Sequence, residues 1–170
     1  IDLVLQRYKH HQSVIGFGID VEWYHAQSST DGRKVTNYEA QLWEQHIKSI
    51  DQEYALFLKH WDTKWMPPSY RGDILFIDDS QQFPSLQELV EDFAIWGSTF
   101  TPNNVGFQVG YQHDRWWWNK YTDPPKAIGD RILAEIPNTA ALFWVDFTIT
   151  EVFPPVPTST TSTTHPTTTT

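Results

Sequence analysis

Residues 13–23 read SVIGFGIDVEW, a compact β-rich run with polar sequence on either side. Four further apolar runs follow along the chain, at 55–61, 73–79, 105–111 and 141–148. Short, nearly continuous apolar runs are typical of strands in a sheet that helices cover. The sequence therefore predicts five strands.

Helix-forming segments lie between these runs. Apolar residues recur at helical spacing in 1–11 and 38–54. Ser85 and Glu88 have the spacing of a capping box and predict a helix that continues to about residue 99. Two prolines predict another helix over 124–136, since proline is tolerated in a first helical turn. This alternation of strands and helices indicates parallel βαβ units.

Two architectures fit the alternation, a doubly wound sheet and part of a (β/α)8 barrel. Polar residues collect after nearly every predicted strand: Asp20, Glu22, His60, Asp62, Asp78, Asp79, Gln108, Tyr111 and Asp146. A barrel gathers all its strand ends around one mouth, whereas an open sheet concentrates ligands at one switch point. We therefore predict an α/β fold that is the C-terminal part, about five strands, of a TIM-type barrel. A whole barrel takes about 250 residues, so its N-terminal strands are expected to lie outside this chain.

The chain divides into two parts by composition. Residues 1–153 form the predicted partial barrel domain, and residues 154–170 are almost entirely Thr, Ser and Pro. The second part has too little apolar content to fold and is predicted to be a disordered linker or tail. Such segments are typical of O-glycosylated stalks on surface proteins, although an arbitrary disordered terminus has the same composition. We expect a secreted or cell-surface protein.

Charge and residue content exclude several classes of function. The net charge is −9 with no basic run, which disfavours binding to nucleic acid or to an anionic membrane. The absence of cysteine excludes disulfides and thiolate metal sites, and the histidines lack metal-binding spacing. No apolar run is long enough for membrane insertion. The sequence therefore predicts neither a metal nor another cofactor.

Aromatic residues are unusually abundant, with nine Trp, ten Phe and seven Tyr. One explanation is a core built from large side chains. The other is a groove for sugars, because a flat ring matches the apolar C–H face of a pyranose and aromatic pockets are common ligand sites. The predicted partner is a polysaccharide or oligosaccharide, and the sequence does not indicate an oligomeric state.

Asp20 and Glu22 are the strongest candidates for catalysis. They are two residues apart, so a strand would direct both to one side, with Gly16 and Gly18 leaving space beneath a substrate. Glycoside hydrolysis requires a pair of carboxyl groups, one protonated and one ionised. The competing explanation is that both acids form ion pairs at the rim, with Lys59, Arg71 or Arg115.

The residues GIDVEW at 18–23 resemble the D-x-E end of the fourth strand in two barrel glycosidase families. The closer resemblance is to glycoside hydrolase family 25, the muramidase-type lysozymes, and it implies that Glu22 is the acid beside Asp20. The later motifs keep that family's order. They are Asp78 or Asp79 on the sixth strand, Phe107-Gln108 on the seventh and Val145-Asp146 on the eighth.

The second resemblance is to family 18, the chitinases. Aligning Asp20 to that longer motif places Tyr24 at the position of the catalytic glutamate, which implies an inactive or lectin-like member. Trp144 on the last strand would match the tryptophan that floors the sugar site in that family.

The sequence thus predicts a glycoside hydrolase for a β-linked polysaccharide, with N-acetylhexosamine polymers as one candidate. Glu22 is the predicted general acid, Asp20 orients or assists it, and Asp79 and Asp146 support them. The predicted substrate-binding residues are Tyr24, His60, Gln108, Tyr111, Trp116, Trp117 and Trp144. His60 has a structural alternative, and at least one tryptophan of 116–118 is expected to be exposed, in a loop. The alternative function is a non-catalytic, lectin-like glycan-binding protein.

Overall fold

The computed structural model describes residues 1–27 and 32–155 and is a mixed α/β structure. Its five strands are β1 Gly16–Asp20, β2 Ala55–Lys59, β3 Ile74–Asp78, β4 Val105–Val109 and β5 Thr139–Trp144. Its helices are α1 Asp2–Tyr8, α2 Asn37–Ile50, α3 Leu86–Phe100, α4 Arg115–Trp118, α5 Pro124–Glu135 and α6 Asp146–Val152. The predicted tail from residue 156 onward, and residues 28–31, lie outside the described residues.

The strands form one sheet in the order β1-β2-β3-β4-β5, and every neighbouring pair is parallel. The predictions of five strands and parallel pairing are confirmed. The order follows the chain without reversal, which differs from the reversal that defines a doubly wound sheet.

Helices α2, α3 and α5 contribute to one core with one face of this sheet. The strand residues in that core alternate along β2, β3 and β4, and they include Leu56, Leu58, Phe76 and Phe107. Phe76 stacks on Phe100 of α3, with ring centroids 4.2 Å apart. Many of the aromatic residues therefore serve packing, as the first explanation of their abundance expected.

Local hydrogen bonds cap the first turns of α2 and α3. The Ser85 hydroxyl accepts the backbone N–H of Glu88 at 3.3 Å and caps α3 as predicted. The reciprocal capping box lies instead at α2, where Thr36 and Glu39 bond each other's backbone N–H groups. Both caps satisfy N–H groups that the first turn of a helix leaves unpaired.

The end of β5 differs from the prediction. The strand stops at Trp144, and Asp146 is the first residue of α6 rather than a strand residue. The Thr148 hydroxyl holds this turn, because it accepts the Trp144 indole N–H at 2.9 Å and donates to the carbonyl of Gly110 at 2.6 Å. Asp146 is exposed and does not share a strand face with Trp144.

The face opposite the core is not empty beneath the acids. Gly18 pairs in register with Phe57, and a Cβ atom on Gly18 would lie 1.7 Å from the Phe57 ring. The glycine therefore makes room for this ring. The expected space under a substrate is filled by Phe57, which the sequence of β1 alone does not reveal.

Asp78 ends β3 on the core side of the sheet and is almost fully buried. Burial, reinforced by the charges of Asp92 and Asp79, raises the pKa of Asp78 to about 8. The Ser80 backbone N–H donates to its carboxyl at 2.8 Å and opposes the shift. The folded chain thus keeps Asp78 protonated in a pH range where the unfolded chain ionises it.

Asp78→Asn should remove a pH-dependent loss of stability. The pKa of Asp78 is raised on folding, so its contribution is complete below about pH 4 and is lost as the pH rises towards about 8. Over that window the wild type should lose up to about 1.4 kcal/mol of unfolding free energy per pH unit relative to the variant. Urea unfolding at pH 4.5 and pH 8 measures this. Asp130→Asn on the exposed face of α5 is the control, and equal pH dependence in wild type and Asp78→Asn would contradict the assignment.

Candidate functional site

Three charged side chains meet at the carboxyl ends of β1, β2 and β3. Lys59 donates to Asp20 Oδ2 at 2.9 Å and also bonds Asp79 Oδ2. Asp20 and Lys59 are register partners, which places them on one face of the sheet. The Lys59 side chain is only 15 % exposed, so water screens its ion pair with the buried Asp79 poorly. Of the three cations considered as rim partners, Lys59 is the one that pairs with Asp20.

Asp79 is the most enclosed member of this group. Its side chain is 7 % exposed and its Oδ2 atom bonds Lys59. Its Oδ1 atom is buried and has no hydrogen-bond partner among the described residues. Buried acceptors are nearly always paired, so this oxygen is a place where a bound group would complete the hydrogen bonding.

Glu22 lies beside the charged group, but the prediction that it shares a strand with Asp20 is wrong. The strand ends at Asp20, and Glu22 lies in a single 3-10 turn, Val21–Trp23, that follows it directly. Its backbone N–H donates to Asp20 Oδ1 at 3.3 Å, which holds the turn against the strand end. Burial raises the pKa of Glu22, and the negative charges of Asp79 and Asp20 raise it further, while Lys59 opposes them. A carboxyl group with a raised pKa next to two ion-paired carboxyl groups is an arrangement that suits an acid catalyst.

Gln108 and Tyr111 border the same group from β4. The Gln108 amide donates to the Tyr111 hydroxyl at 2.7 Å. Tyr111 is buried, and burial together with the charges of Asp79 and Asp20 raises its pKa, so the phenol remains neutral and can donate a hydrogen bond. The structure thus brings together Asp20, Glu22, Asp79, Gln108 and Tyr111 of the predicted residues.

His60 follows Lys59 and is buried rather than open to a ligand. Its Nδ1 atom accepts the backbone N–H of Asp62 at 2.8 Å, and its ring stacks on Trp65 with centroids 4.7 Å apart. Burial lowers the pKa of His60, so the ring is neutral at pH 7. These contacts agree with the structural alternative for this residue.

A cleft of about 330 Å³ opens beside Asp79. Its lining residues are Trp61, Asp79, Ser80, Gln81 and Gln82. Trp61 is 55 % exposed and lies next to the buried His60 ring. Neither Trp61 nor Lys59 was among the predicted site residues. Both adjoin the polar end of β2, and this position was the one signal in the sequence that pointed to them.

Tyr24 and Asp146 lie apart from the charged group. The Tyr24 hydroxyl donates to Glu39 at 2.7 Å and accepts a bond from Arg33 at 3.0 Å, which ties it to the start of α2. Asp146 is exposed at the start of α6. No described contact connects either residue to Asp20 or Asp79.

The tryptophans of 116–118 belong to the short helix α4 rather than to a loop. Trp116 is 58 % exposed, as expected for at least one of the three, while Trp117 and Trp118 are buried. Their indole N–H groups donate to the carbonyls of Phe83 at 2.9 Å and Tyr111 at 3.0 Å, respectively. Trp116 alone of the three presents its ring to solvent.

Trp144 packs beside this short helix. It is the register partner of Val109, whose side chain belongs to the core, and its ring meets Trp118 edge-on with centroids 5.3 Å apart. The predicted sugar-stacking ring therefore lies on the helix side of the sheet, away from Asp20 and Lys59.

Comparison of the chain with protein families, with curated proteins and with solved structures gives no match in any of the three. Within residues 1–27 and 32–155, no three His, Asp or Glu side chains are grouped to hold a metal ion. In the same residues, no helix is long and apolar enough to cross a membrane.

Lys59→Met should raise the pKa of Glu22, because the lysine charge is the one that lowers it. An NMR titration that follows the Glu22 carboxyl carbon in wild type and variant measures the shift. Lys126→Met is the control, since Lys126 pairs with Asp130 on an exposed helix surface. An unchanged or lowered Glu22 pKa in Lys59→Met would show that the ion-pair group does not govern this acid.

Trp118→Ala and Trp116→Ala should differ sharply in stability. Removing the buried Trp118 ring leaves a cavity and should reduce the unfolding free energy by roughly 3–5 kcal/mol. Removing the exposed Trp116 ring should change it by no more than about 0.5 kcal/mol. Chemical unfolding of the two variants in parallel tests the difference. Similar losses in both would contradict the assigned burial.

Proposed function

We propose that the chain is the C-terminal part of a (β/α)8 barrel and acts as a glycoside hydrolase on a β-linked polysaccharide. N-acetylhexosamine polymers are the first candidates. The observation that carries the proposal is the raised pKa of Glu22 beside an ion-paired group of Asp20, Lys59 and Asp79. No relative supports it, so it rests on the chemistry of this site alone.

The strand order favours a barrel over an open sheet. Right-handed crossovers between strands in sequential order place every helix on the same face, and closure of such a sheet puts that face outside. The single core formed by α2, α3 and α5 with one sheet face has this arrangement. In a barrel, the carboxyl ends that carry the acids form the mouth, where active sites lie.

Glu22 is the proposed general acid. Hydrolysis begins when a protonated carboxyl group gives its proton to the oxygen of the leaving sugar. A raised pKa keeps Glu22 protonated at a pH where an ordinary glutamate is ionised. The backbone bond from Glu22 to Asp20 holds the acid next to the strand end.

Asp20 and Asp79 are the proposed ionised partners. Bond cleavage develops positive charge at the anomeric carbon, and a nearby carboxylate stabilises that charge or attacks the carbon. Lys59 forms an ion pair with each of these aspartates. Tyr111, a neutral donor beside them, is suited to a substrate hydroxyl.

Exposed tryptophans supply the proposed binding surface. Trp23, Trp61 and Trp116 are each more than half exposed, and all three follow the carboxyl ends of strands. Flat exposed rings at one edge favour contact with sugars. The same rings favour the alternative, a lectin-like protein that binds glycans without hydrolysis, since stacking needs no acid.

Glu22→Gln should reduce the release of reducing ends by roughly 10²–10⁴-fold, because the amide cannot donate the proton. The assay uses the full-length protein on chitin oligomers, peptidoglycan and several β-glucans. Binding to the same oligomers should remain, since the amide keeps the shape of the side chain.

Glu53→Gln, at an exposed position between α2 and β2, is the matched control and should retain full activity. Equal activity in wild type and Glu22→Gln would overturn the assigned acid. Binding without release from any substrate in the wild type would favour the lectin-like alternative.

A further inference from the structure

The cleft beside Asp79 adjoins a group of side chains with more acids than bases. Three acids, Asp20, Glu22 and Asp79, share their surroundings with one cation, Lys59. Two of these acids, Asp20 and Asp79, share the single ammonium group of Lys59. A sugar that carries carboxylate or sulfate groups would add repulsion here, whereas a cationic sugar would neutralise the site.

Asp79 provides a specific point of contact for such a cation. The residue is 6 % exposed and lies in the wall of the cleft. Its Oδ2 atom bonds Lys59, while Oδ1 has no hydrogen-bond partner among the described residues. A donor bound in the cleft would lie beside the Asp79 carboxylate, and a charged donor forms a stronger bond to a carboxylate than a neutral amide does.

Trp61 supplies the aromatic part of the cleft lining. Its ring is 55 % exposed, and the neighbouring His60 is neutral at pH 7. Among the described residues, no Lys or Arg makes a cation–π contact with this ring. An aromatic face attracts an ammonium group and also packs against the C–H face of a pyranose. The wall residues therefore match both parts of an amino sugar.

We infer that the cleft between Trp61 and Asp79 binds a hexosamine unit whose amino group is free rather than acetylated. This inference rests on the proposed function and names the substrate class more narrowly. The ring of the sugar lies on Trp61, and its ammonium group pairs with the Asp79 carboxylate. The polymer is a β-linked hexosamine chain with deacetylated units.

The test compares two ligands that differ only in the acetyl groups. These are the β-1,4-linked tetramers of glucosamine and of N-acetylglucosamine, titrated by calorimetry at pH 6 into full-length Glu22→Gln protein so that hydrolysis does not interfere. The dissociation constant of the glucosamine tetramer should be about tenfold lower, because it forms one charge-assisted hydrogen bond that the acetylated tetramer lacks. Raising the salt concentration should reduce this preference, because salt screens charged pairs. Equal or tighter binding of the acetylated tetramer would overturn the inference.

Variants in the same background separate the two walls of the cleft. Asp79→Asn should abolish the preference, with about a tenfold loss for the glucosamine tetramer and little change for the acetylated one. Trp61→Ala should weaken both tetramers. Tyr38→Ala, an exposed ring on α2, is the control and should change neither. Circular dichroism establishes that each variant is folded. If Asp79→Asn does not fold, the preference between the two tetramers measured in the Glu22→Gln protein decides the outcome by itself.

The experimental results distinguish failure of this inference from failure of the proposed function. Hydrolysis by the wild type without any preference for the glucosamine tetramer would reject the amino-sugar site and retain the hydrolase. A clear preference without hydrolysis by the wild type would retain the amino-sugar site on a lectin-like protein.

Discussion

Parallel strands cannot be joined by tight turns, because each connection must return to the starting edge of the sheet. In this protein α2, α3 and α5 span three of the four connections, and they bury their apolar sides against one sheet face. The opposite face carries Phe57, Asp20 and Lys59. All carboxyl ends also share one edge, which makes neighbours of Asp20, Lys59 and Asp79 although the chain separates them.

The electrostatics of that edge depend on Lys59. Burial makes each isolated charge unfavourable, but the lysine lies between two aspartates and stabilises both. Glu22 makes no ion pair with the lysine, so burial and the aspartate charges raise its pKa. One cation thus pairs with two of the acids, while the pKa of the third is raised, an arrangement that suits the proposed carboxylate catalysis. The same balance leaves excess negative charge for a cationic ligand.

Much of the fold was predictable because its signals are local. Each strand is a short apolar run, and the start of α3 depends on Ser85 and Glu88, which are three residues apart. The end of β5 was not predictable in this way, since Thr148 reaches across to the carbonyl of Gly110. Nothing in the apolar run itself marks Trp144 as its last residue. The candidate acids at strand ends were found by position alone. The sequence named Lys59 only as one of three ion-pair partners and did not indicate Trp61, and the tertiary structure decided both.

The sequence by itself determined the alternation of strands and helices, the polar strand ends and the pair of Asp20 and Glu22. These depend on residue type and on spacing within one element, so propensity and periodicity reveal them. Tertiary structure alone decided that Phe57 fills the space over Gly18, that Lys59 joins Asp20 to Asp79, and that Trp144 lies on the helix side. Each of these contacts links different strands or helices. These contacts depend on strand register and burial, which cannot be predicted from residues that are neighbours in the sequence.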